Sequence, residues 1–262
     1  MTSAETTQPG QGRVQMGDVG LDPLTETEVI GQVRAAWTAG RGGSIYPVNV
    51  DVARAVSRQP ALVSLLNGGS FVVADGAPLE WAARVAGQPL PGRVTGSGLV
   101  FSLSEAAAAD GRSVFLLGGA EGVPEKAAEA LRSRFPGLRV AGADSPPFGF
   151  DKTDEGVRQT VDAVAAAKPD LVLVGLGFPR QERLIEQLRQ AWPSAWYLAC
   201  GGGITMAAGI VRRASPLLQR LGLEWMHRLM HEPRRLAGRY LRDDLPFAIA
   251  LLTRAAMRRF SR

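Results

Sequence analysis

The sequence predicts an α/β fold: a Rossmann-like, mostly parallel sheet with helices on both faces, followed by a basic helical C-terminal appendage. Three observations support this prediction. Apolar runs of four or five residues alternate with amphipathic stretches of helical length, which is the pattern of parallel βαβ units. Most of these runs end at glycine or at a polar residue. The chain of 262 residues is 45% hydrophobic, which is enough to bury one core of ordinary size.

The predicted elements follow one another in strand–helix order. The first helix, 26–39, has Thr25 as its N-cap and stops at Gly40. Further helices are predicted at 50–58, 80–85, 123–135, 154–167 and 181–190. The strands are the apolar runs at 44–49, 70–74, 113–117, 138–142, 170–174 and 195–199.

Composition divides the chain into three segments. Residues 1–20 are polar and lack the basic start and apolar run of a signal peptide, so we expect them to be disordered. Residues 21–209 form the α/β core, and residues 210–262 form the basic amphipathic appendage. No segment reaches the ~18 apolar residues of a membrane-spanning helix, so the sequence predicts a cytoplasmic protein.

Cysteine and histidine content argues against a metal centre. The single cysteine, Cys200, excludes an internal disulfide framework and a cysteine-built zinc site. His227 and His231 lie four residues apart, but no carboxylate or cysteine cluster joins them in the sequence. We interpret them as surface or interfacial residues, and we expect neither a metal nor a cofactor.

The strand ends predict a ligand site, because ligands of such sheets bind beyond the carboxyl ends of the strands. Four of the five ends contain glycine, which lets backbone amides approach a ligand closely. This geometry is typical of nucleotide sites, although neither a dinucleotide fingerprint nor a phosphate loop is present. The ends are Asn49, Asp75-Gly76, Gly118-Gly119, the turn from Gly175 through Gly177 to Gln181, and Gly201 to Gly203.

Polar residues at these ends have two readings each. Asp75 is either the cap of the next helix or a general base at the ligand edge of the sheet. Asn49 is either a cap or a sugar contact. Gly175-Leu-Gly177 is compatible with a simple tight turn. However, Pro179, Arg180, Gln181 and Glu182 open the next helix, whose N-terminus favours anions, so Arg180 and Gln181 would lie over the site.

The appendage carries the positive charge of the chain. Residues 212–262 contain 12 arginines against four acids, a net charge of +8, whereas the rest of the chain has −3. The arginines alternate with aliphatic and aromatic residues at helical spacing, which suits an anionic bilayer surface. Nucleic acid is the competing anion, but no motif for it is present. A solvated charged face would explain the charge and not the apolar residues.

Six segments resemble the WecG/TagA/CpsF glycosyltransferases, and they keep the family's order over roughly residues 25–245. The most specific pair is Val174-Gly-Leu-Gly-x-Pro-Arg-Gln-Glu182 with Gly222-Leu-Glu-Trp225-x-x-Arg228-Leu-x-x-Glu232-Pro-x-Arg235. The other four are Asn49 with its following helix, Ala74-Asp75-Gly76-x-Pro78, Arg93-Val-x-Gly96, and Phe115-Leu-Leu-Gly-Gly119 with Gly122.

This resemblance implies an inverting, metal-independent transferase on the inner face of the cell membrane. The donor would be a UDP-sugar, often UDP-N-acetylmannosamine, and the acceptor an undecaprenyl-diphosphate sugar. Asp75 matches the catalytic base, and Asn49, Arg93 and Gln181 match site positions. Arg228, Arg235 and Arg239 match C-terminal arginines that complete the site over a diphosphate. The resemblance also implies self-association into a homo-oligomer.

Two positions depart from the family pattern. Pro47 stands where a threonine is common, and Met206-Ala207 stands where Phe-Asp is common near the nucleotide base. These departures leave the donor sugar open. A non-catalytic nucleotide-binding module, at the membrane or on nucleic acid, is the alternative function. A dinucleotide-dependent oxidoreductase is disfavoured because its fingerprint is missing.

Overall fold

The computed structural model describes residues 12–211, 215, 218, 224–231 and 237–260. Within these residues, six parallel strands form one sheet in the order β4-β3-β8-β7-β5-β6. The strands are β3 (Gly43–Val48), β4 (Phe71–Ala74), β5 (Ser113–Gly118), β6 (Arg139–Asp144), β7 (Leu171–Gly175) and β8 (Trp196–Ala199). The predicted α/β class is therefore confirmed, and each predicted strand lies within two residues of an observed one.

Helices connect the strands. They are α1 (Glu26–Thr38), α2 (Val50–Arg58), α3 (Ala61–Asn67), α4 (Ala77–Val85), α5 (Gly96–Ala109), α6 (Val123–Arg134), α7 (Asp154–Ala167), α8 (Arg180–Ala191) and α9 (Gly203–Ala207). A 3-10 turn, Phe150–Lys152, precedes α7. Later in the chain lie α10 (Glu224–His231), a π-helical turn (Arg239–Asp244) and α11 (Leu245–Phe260). The sequence analysis did not predict α3, α5 or α9.

The sheet separates two apolar layers. Successive strand residues point to opposite faces, so Tyr46 and Tyr197 lie in one layer while Ile45 and Leu198 lie in the other. Helices α2, α3, α4, α7, α8 and α11 cover the first face. Helices α1, α5, α6 and α9 cover the second. This two-sided burial explains why the strands read as continuous apolar runs.

A hairpin precedes the sheet and corrects one prediction. Strands β1 (Val14–Met16) and β2 (Val19–Leu21) pair antiparallel in the part of the chain where the sequence predicted disorder; residues 1–11 lie outside the described residues. The hairpin is held to β4 through Asp22, whose backbone N–H donates to the Val72 carbonyl and whose carboxylate accepts from the Val72 N–H, both at 2.7 Å. Strands of three residues are too short to show an apolar period, which is why the pattern did not reveal them.

The last helix packs on the core. Leu251 and Ala255 of α11 are buried in the first layer, and α11 contacts α4 and α2. Just before it, Asp244 of the π-helical turn pairs with Arg54 of α2 at 3.1 Å. Part of the predicted appendage is thus joined to the core. Among the described residues, no helix combines the length and the apolarity needed to cross a membrane.

Candidate functional site

The sheet topology predicts a crevice at the carboxyl ends of the four central strands. The helices that follow β3 and β7 cover the first face, whereas those that follow β8 and β5 cover the second. Each neighbouring pair among β3, β8, β7 and β5 therefore sends its chain to opposite sides. Such a reversal opens the space where ligands of open α/β sheets bind.

Asn49, Asp75 and Gly76 meet at one end of this crevice. The backbone N–H of Asp75 donates to the carbonyl of Val48 at 2.7 Å, which places Asp75 beside Asn49. Asn49 caps α2, since its Oδ1 accepts from the Val52 N–H at 3.1 Å. Gly76 has a φ of 156°, and a Cβ there would lie 3.9 Å from the Cβ of Asn49. The N-cap position of α4 is Gly76, so Asp75 lies one residue before the cap.

Arg93 joins this end from the segment after α4. The Val94 N–H donates to the carbonyl of Ala74 at 2.9 Å, so the chain at Arg93 runs alongside the end of β4. The Arg93 guanidinium lies 3.6 Å from the carboxylate of Glu80, and its side chain is largely buried. Arg93 is the neighbour of Val94, and Ala74 is the neighbour of Asp75. This contact therefore places the backbone of Arg93 close to that of Asp75.

The N-terminus of α5 enters the same crevice, and the sequence reading did not include it among the candidates. Gly96 lies against the end of β8, because a Cβ on it would be 3.3 Å from the Ala199 carbonyl and 3.4 Å from Pro47. Thr95 caps the helix by accepting from the Gly98 N–H at 3.0 Å. The signal was available in Thr95-Gly-Ser-Gly98, a threonine cap before a glycine-rich first turn. A helix of 14 residues directs its N–H groups and positive dipole end into the crevice.

Pro47 explains how α5 reaches this position. The pairing of β3 with β8 ends at Ile45 and Leu198, whereas the pairing with β4 continues through Pro47 and Val48. Proline has no N–H to extend a ladder. The two strands separate there, and Gly96 fits between Pro47 and the β8 end.

The other glycine turns line the far side of the crevice. Gly118 has a φ of 103°, and a Cβ on it would be 2.7 Å from the Gly175 carbonyl, so β5 and β7 approach closely there. Gly119, with a φ of 97°, accepts from the Ser145 hydroxyl at 2.9 Å. Only glycine adopts such angles without strain while leaving the backbone accessible.

Gln181 joins two of these turns. Its Oε1 accepts from the Gly177 N–H at 3.2 Å and from the Gly201 N–H at 3.1 Å. Its Nε2 donates to the Glu182 carboxylate at 2.9 Å. Gln181 and Glu182 are both buried, at 6% and 2% exposure. Burial raises the pKa of Glu182 to about 7.

The remaining predicted site residues differ in burial, and one of them lies outside the described residues. Pro179 caps α8 after a cis peptide bond, while Arg180 is exposed and its guanidinium donates to the Leu176 carbonyl at 2.9 Å. Gly203 begins α9 and is buried, as are Met206 and Ala207, the positions where the family pattern has Phe-Asp. Arg235 lies outside the described residues. The structure describes the backbone of α10 at Arg228 and of the π-helical turn at Arg239.

Other reactive groups do not form a second centre in the described part of the chain. Between residues 12 and 211 and in the described later helices, no group of three or more histidine, cysteine or acidic side chains has a metal-binding arrangement. Cys200 is buried next to the β8 end, and burial raises the pKa of its thiol to about 12. A thiol in this state is not a nucleophile at neutral pH.

Comparison with known proteins identifies a family and relatives for this chain. A sequence profile of the glycosyl transferase WecG/TagA/CpsF family matches residues 14–261. A protein of Bacillus spizizenii strain W23 is 32% identical over 195 residues, which cover 74% of each chain. A protein of Staphylococcus aureus strain MW2 is 28% identical over 227 residues, 86% of this chain and 87% of the relative. Both relatives bear the name N-acetylglucosaminyldiphosphoundecaprenol N-acetyl-beta-D-mannosaminyltransferase.

Proposed function

Because the chain belongs to the WecG/TagA/CpsF family of glycosyltransferases, we propose that it is an inverting transferase in the synthesis of a bacterial cell-wall or surface polysaccharide. The donor is a UDP-sugar, N-acetylmannosamine or a related hexose. The acceptor is an undecaprenyl-diphosphate-linked sugar, the class of acceptor that the names of both relatives contain. The transfer needs no metal ion.

The observation that carries this proposal is the position of Asp75. Its carboxyl group follows β4 directly, beside Asn49 and Gly76, at the edge where a sheet of this topology binds ligands. A carboxylate there can accept the proton of an acceptor hydroxyl as that oxygen forms a bond to the anomeric carbon. The bond from that carbon to the diphosphate oxygen breaks on the opposite face, and UDP leaves with the electron pair.

The leaving UDP gains negative charge, which the crevice must stabilise. The N-terminus of α5, capped by Thr95, and the N-terminus of α8, which begins at Arg180, both point to this edge. Helix N-termini stabilise anions through their N–H groups and dipoles. Arg93 lies at the same edge. We assign Arg228, Arg235 and Arg239 to the same task over the diphosphate, as the family pattern implies, since guanidinium groups bind phosphate oxygens in pairs.

The lipid acceptor requires the enzyme to work at a membrane surface. We propose that the chain binds the cytoplasmic face peripherally, through residues 210–262, which carry 12 of the 30 basic residues of the protein. Exposed apolar side chains on α11, Leu245 and Ile249, support this assignment. Arginines beside exposed apolar residues favour anionic bilayers. Nucleic acid is not proposed as a partner, and self-association stays a prediction.

The test is release of UDP from a panel of UDP-sugars, with and without a soluble lipid-diphosphate-GlcNAc analogue. We expect one donor to give acceptor-dependent release that EDTA leaves unchanged. Asp75→Asn keeps the shape of the side chain and removes the base, so turnover should fall by about 10²–10⁴-fold while UDP-sugar binding is retained.

Asp51→Asn is the matched control, because Asp51 is an acid in the first turn of α2 that pairs with Arg54. Its turnover should stay within a few-fold of wild type. Equal rates for Asp75→Asn and wild type would remove Asp75 as the base. A protein that binds UDP but releases none from any donor would instead be the non-catalytic nucleotide-binding module.

A further inference from the structure

Two glycine turns of the crevice share one side-chain oxygen. Gly177 follows β7 and Gly201 follows β8, and both adopt left-handed backbone angles, with φ values of 78° and 50°. Their N–H groups converge on Oε1 of Gln181, at 3.2 Å and 3.1 Å. This oxygen fixes the distance between the turns that end the two adjacent strands.

The bridge depends on the orientation of the Gln181 amide. If the amide rotated by half a turn, its NH₂ group would face two N–H donors, and both hydrogen bonds would be lost. The Nε2 atom donates to Oε1 of Glu182 at 2.9 Å. An acceptor at that position stabilises the orientation in which the oxygen faces the glycines.

Glu182 is placed as a supporting group and is unlike an ordinary surface acid. Its side chain is 2% exposed, and among the described residues its Oε2 has no hydrogen-bond partner. A buried acid without an ion pair destabilises the fold relative to an apolar residue. Its presence here therefore indicates a role that an apolar residue cannot fill. Within the described part of the chain, the hydrogen bond that Glu182 accepts from another side chain is the one from Nε2 of Gln181.

We propose that Glu182 is a positioning residue, which holds the Gln181 amide so that its oxygen ties the Gly177 turn to the Gly201 turn. The bridge follows from the contacts themselves. Its effect on sugar transfer rests on the function proposed above, because those turns line the crevice in which the diphosphate of the donor would lie. Glu182 acts through Gln181 in this arrangement and not through the substrate.

The direct test is amide hydrogen exchange at Gly177 and Gly201, followed by NMR on the full chain labelled with ¹⁵N-glycine. Glu182→Met removes the acceptor at similar volume, and Glu182→Asp retracts it by one methylene. In both variants the two amides should exchange about tenfold faster, the change expected for one lost hydrogen bond. Glu182→Gln keeps an acceptor oxygen at the same reach, and its exchange rates should stay within about twofold of wild type.

A double-substitution cycle separates positioning from general damage. Gln181→Met deletes the bridging oxygen and should expose both amides by itself. Adding Glu182→Met to it should then change neither rate further, because the two residues act in series. Glu186→Gln, an exposed acid one turn later on α8, is the matched control and should leave both rates unchanged.

Two results would overturn the inference. One is unchanged exchange at Gly177 and Gly201 in a folded Glu182→Asp or Glu182→Met variant. The other is a fully additive effect in the double variant. Amide exchange is measured without substrate, so its result tests the bridge even if no sugar donor is found. With an active donor, Glu182→Met should lower kcat more than it changes KM, and Glu182→Gln should restore kcat.

Discussion

Glu182 shows at the scale of one residue how burial changes an acid. Burial raises its pKa from 4.5 to about 7, because the apolar surroundings disfavour the charged form. Between these two pH values the folded protein holds a proton that the unfolded chain releases. This group therefore stabilises the fold less as the pH rises through that window, and the loss is complete above about pH 7.

Glu182→Gln tests this pH dependence, since it keeps the side chain neutral at every pH. The free energy of unfolding of the variant, relative to wild type, should rise between pH 5 and pH 8 by roughly 2–3 kcal/mol, the amount that such a shift carries. Urea unfolding at the two pH values measures it. Glu186→Gln, with its exposed carboxylate, should show no such rise. Parallel curves for wild type and Glu182→Gln would mean that Glu182 is charged in the folded protein.

The sequence pattern predicted the location of Gln181 and Glu182 but not their burial. Both were expected at the N-terminus of α8, and both are there. The buried positions of α8 are Gln181, Glu182, Leu184, Ile185 and Leu188, a helical period with two polar members. A pattern read from hydrophobicity assigns polar residues to solvent. Gln181 satisfies its buried oxygen by hydrogen bonds to Gly177, four residues away, and to Gly201, 20 residues away. The second bond cannot be predicted from neighbouring sequence.

At the scale of elements, Arg54 fastens the end of the chain to α2. Its side chain is 13% exposed and lies 3.1 Å from Asp244 and 4.0 Å from Asp243, both in the π-helical turn before α11. It also pairs with Asp51 on its own helix. One cation thus faces three carboxylates in a partly buried setting, where an ion pair is screened less than at the surface.

Arg54→Gln should loosen the π-helical turn and α11. Asp244 is only 9% exposed, so the substitution removes an ion pair from a partly buried setting. We expect the free energy of unfolding to fall by about 1–3 kcal/mol, and amide exchange of residues 239–260 to accelerate. Arg58→Gln, at the exposed end of the same helix, is the control. If exchange in 239–260 were equal in both variants, the ion pairs would not hold this segment.

The elements that the sequence predicted well are those with local signals. Strands β5, β7 and β8 each contain a continuous run of four apolar residues, and the capping box at Thr25 and Glu28 that begins α1 is present. The docking of α11 had no such signal. Its residues form an amphipathic helix in any setting, and only the tertiary structure shows that Leu251 and Ala255 pack on the core while Leu245 and Ile249 stay exposed.

At the scale of the whole molecule, the two ends of the sheet differ in what they expose. Helix α4 follows β4 at one end, and it carries Trp81, 42% exposed, on the side of the molecule where α11 packs. The loop after β6 lies at the other end and carries Phe148, 96% exposed. Arg254, an exposed residue of α11, adds positive charge at the first of these ends. This asymmetry favours one orientation on an anionic membrane.

The surface of α11 can be tested without truncation, which would uncover the core that Leu251 and Ala255 cover. Leu245→Ser with Ile249→Ser removes two exposed apolar side chains and should weaken binding to vesicles of anionic phospholipid by about 10- to 100-fold, as two side chains leave the bilayer. Phe148→Ser is the control, because Phe148 is a more exposed apolar residue at the opposite end of the sheet, and the variant should bind as wild type does. Sedimentation with vesicles at two salt concentrations measures both, and higher salt should weaken binding because it screens the arginines. Unchanged binding of the double variant, or equal weakening by Phe148→Ser, would place the membrane contact on another surface.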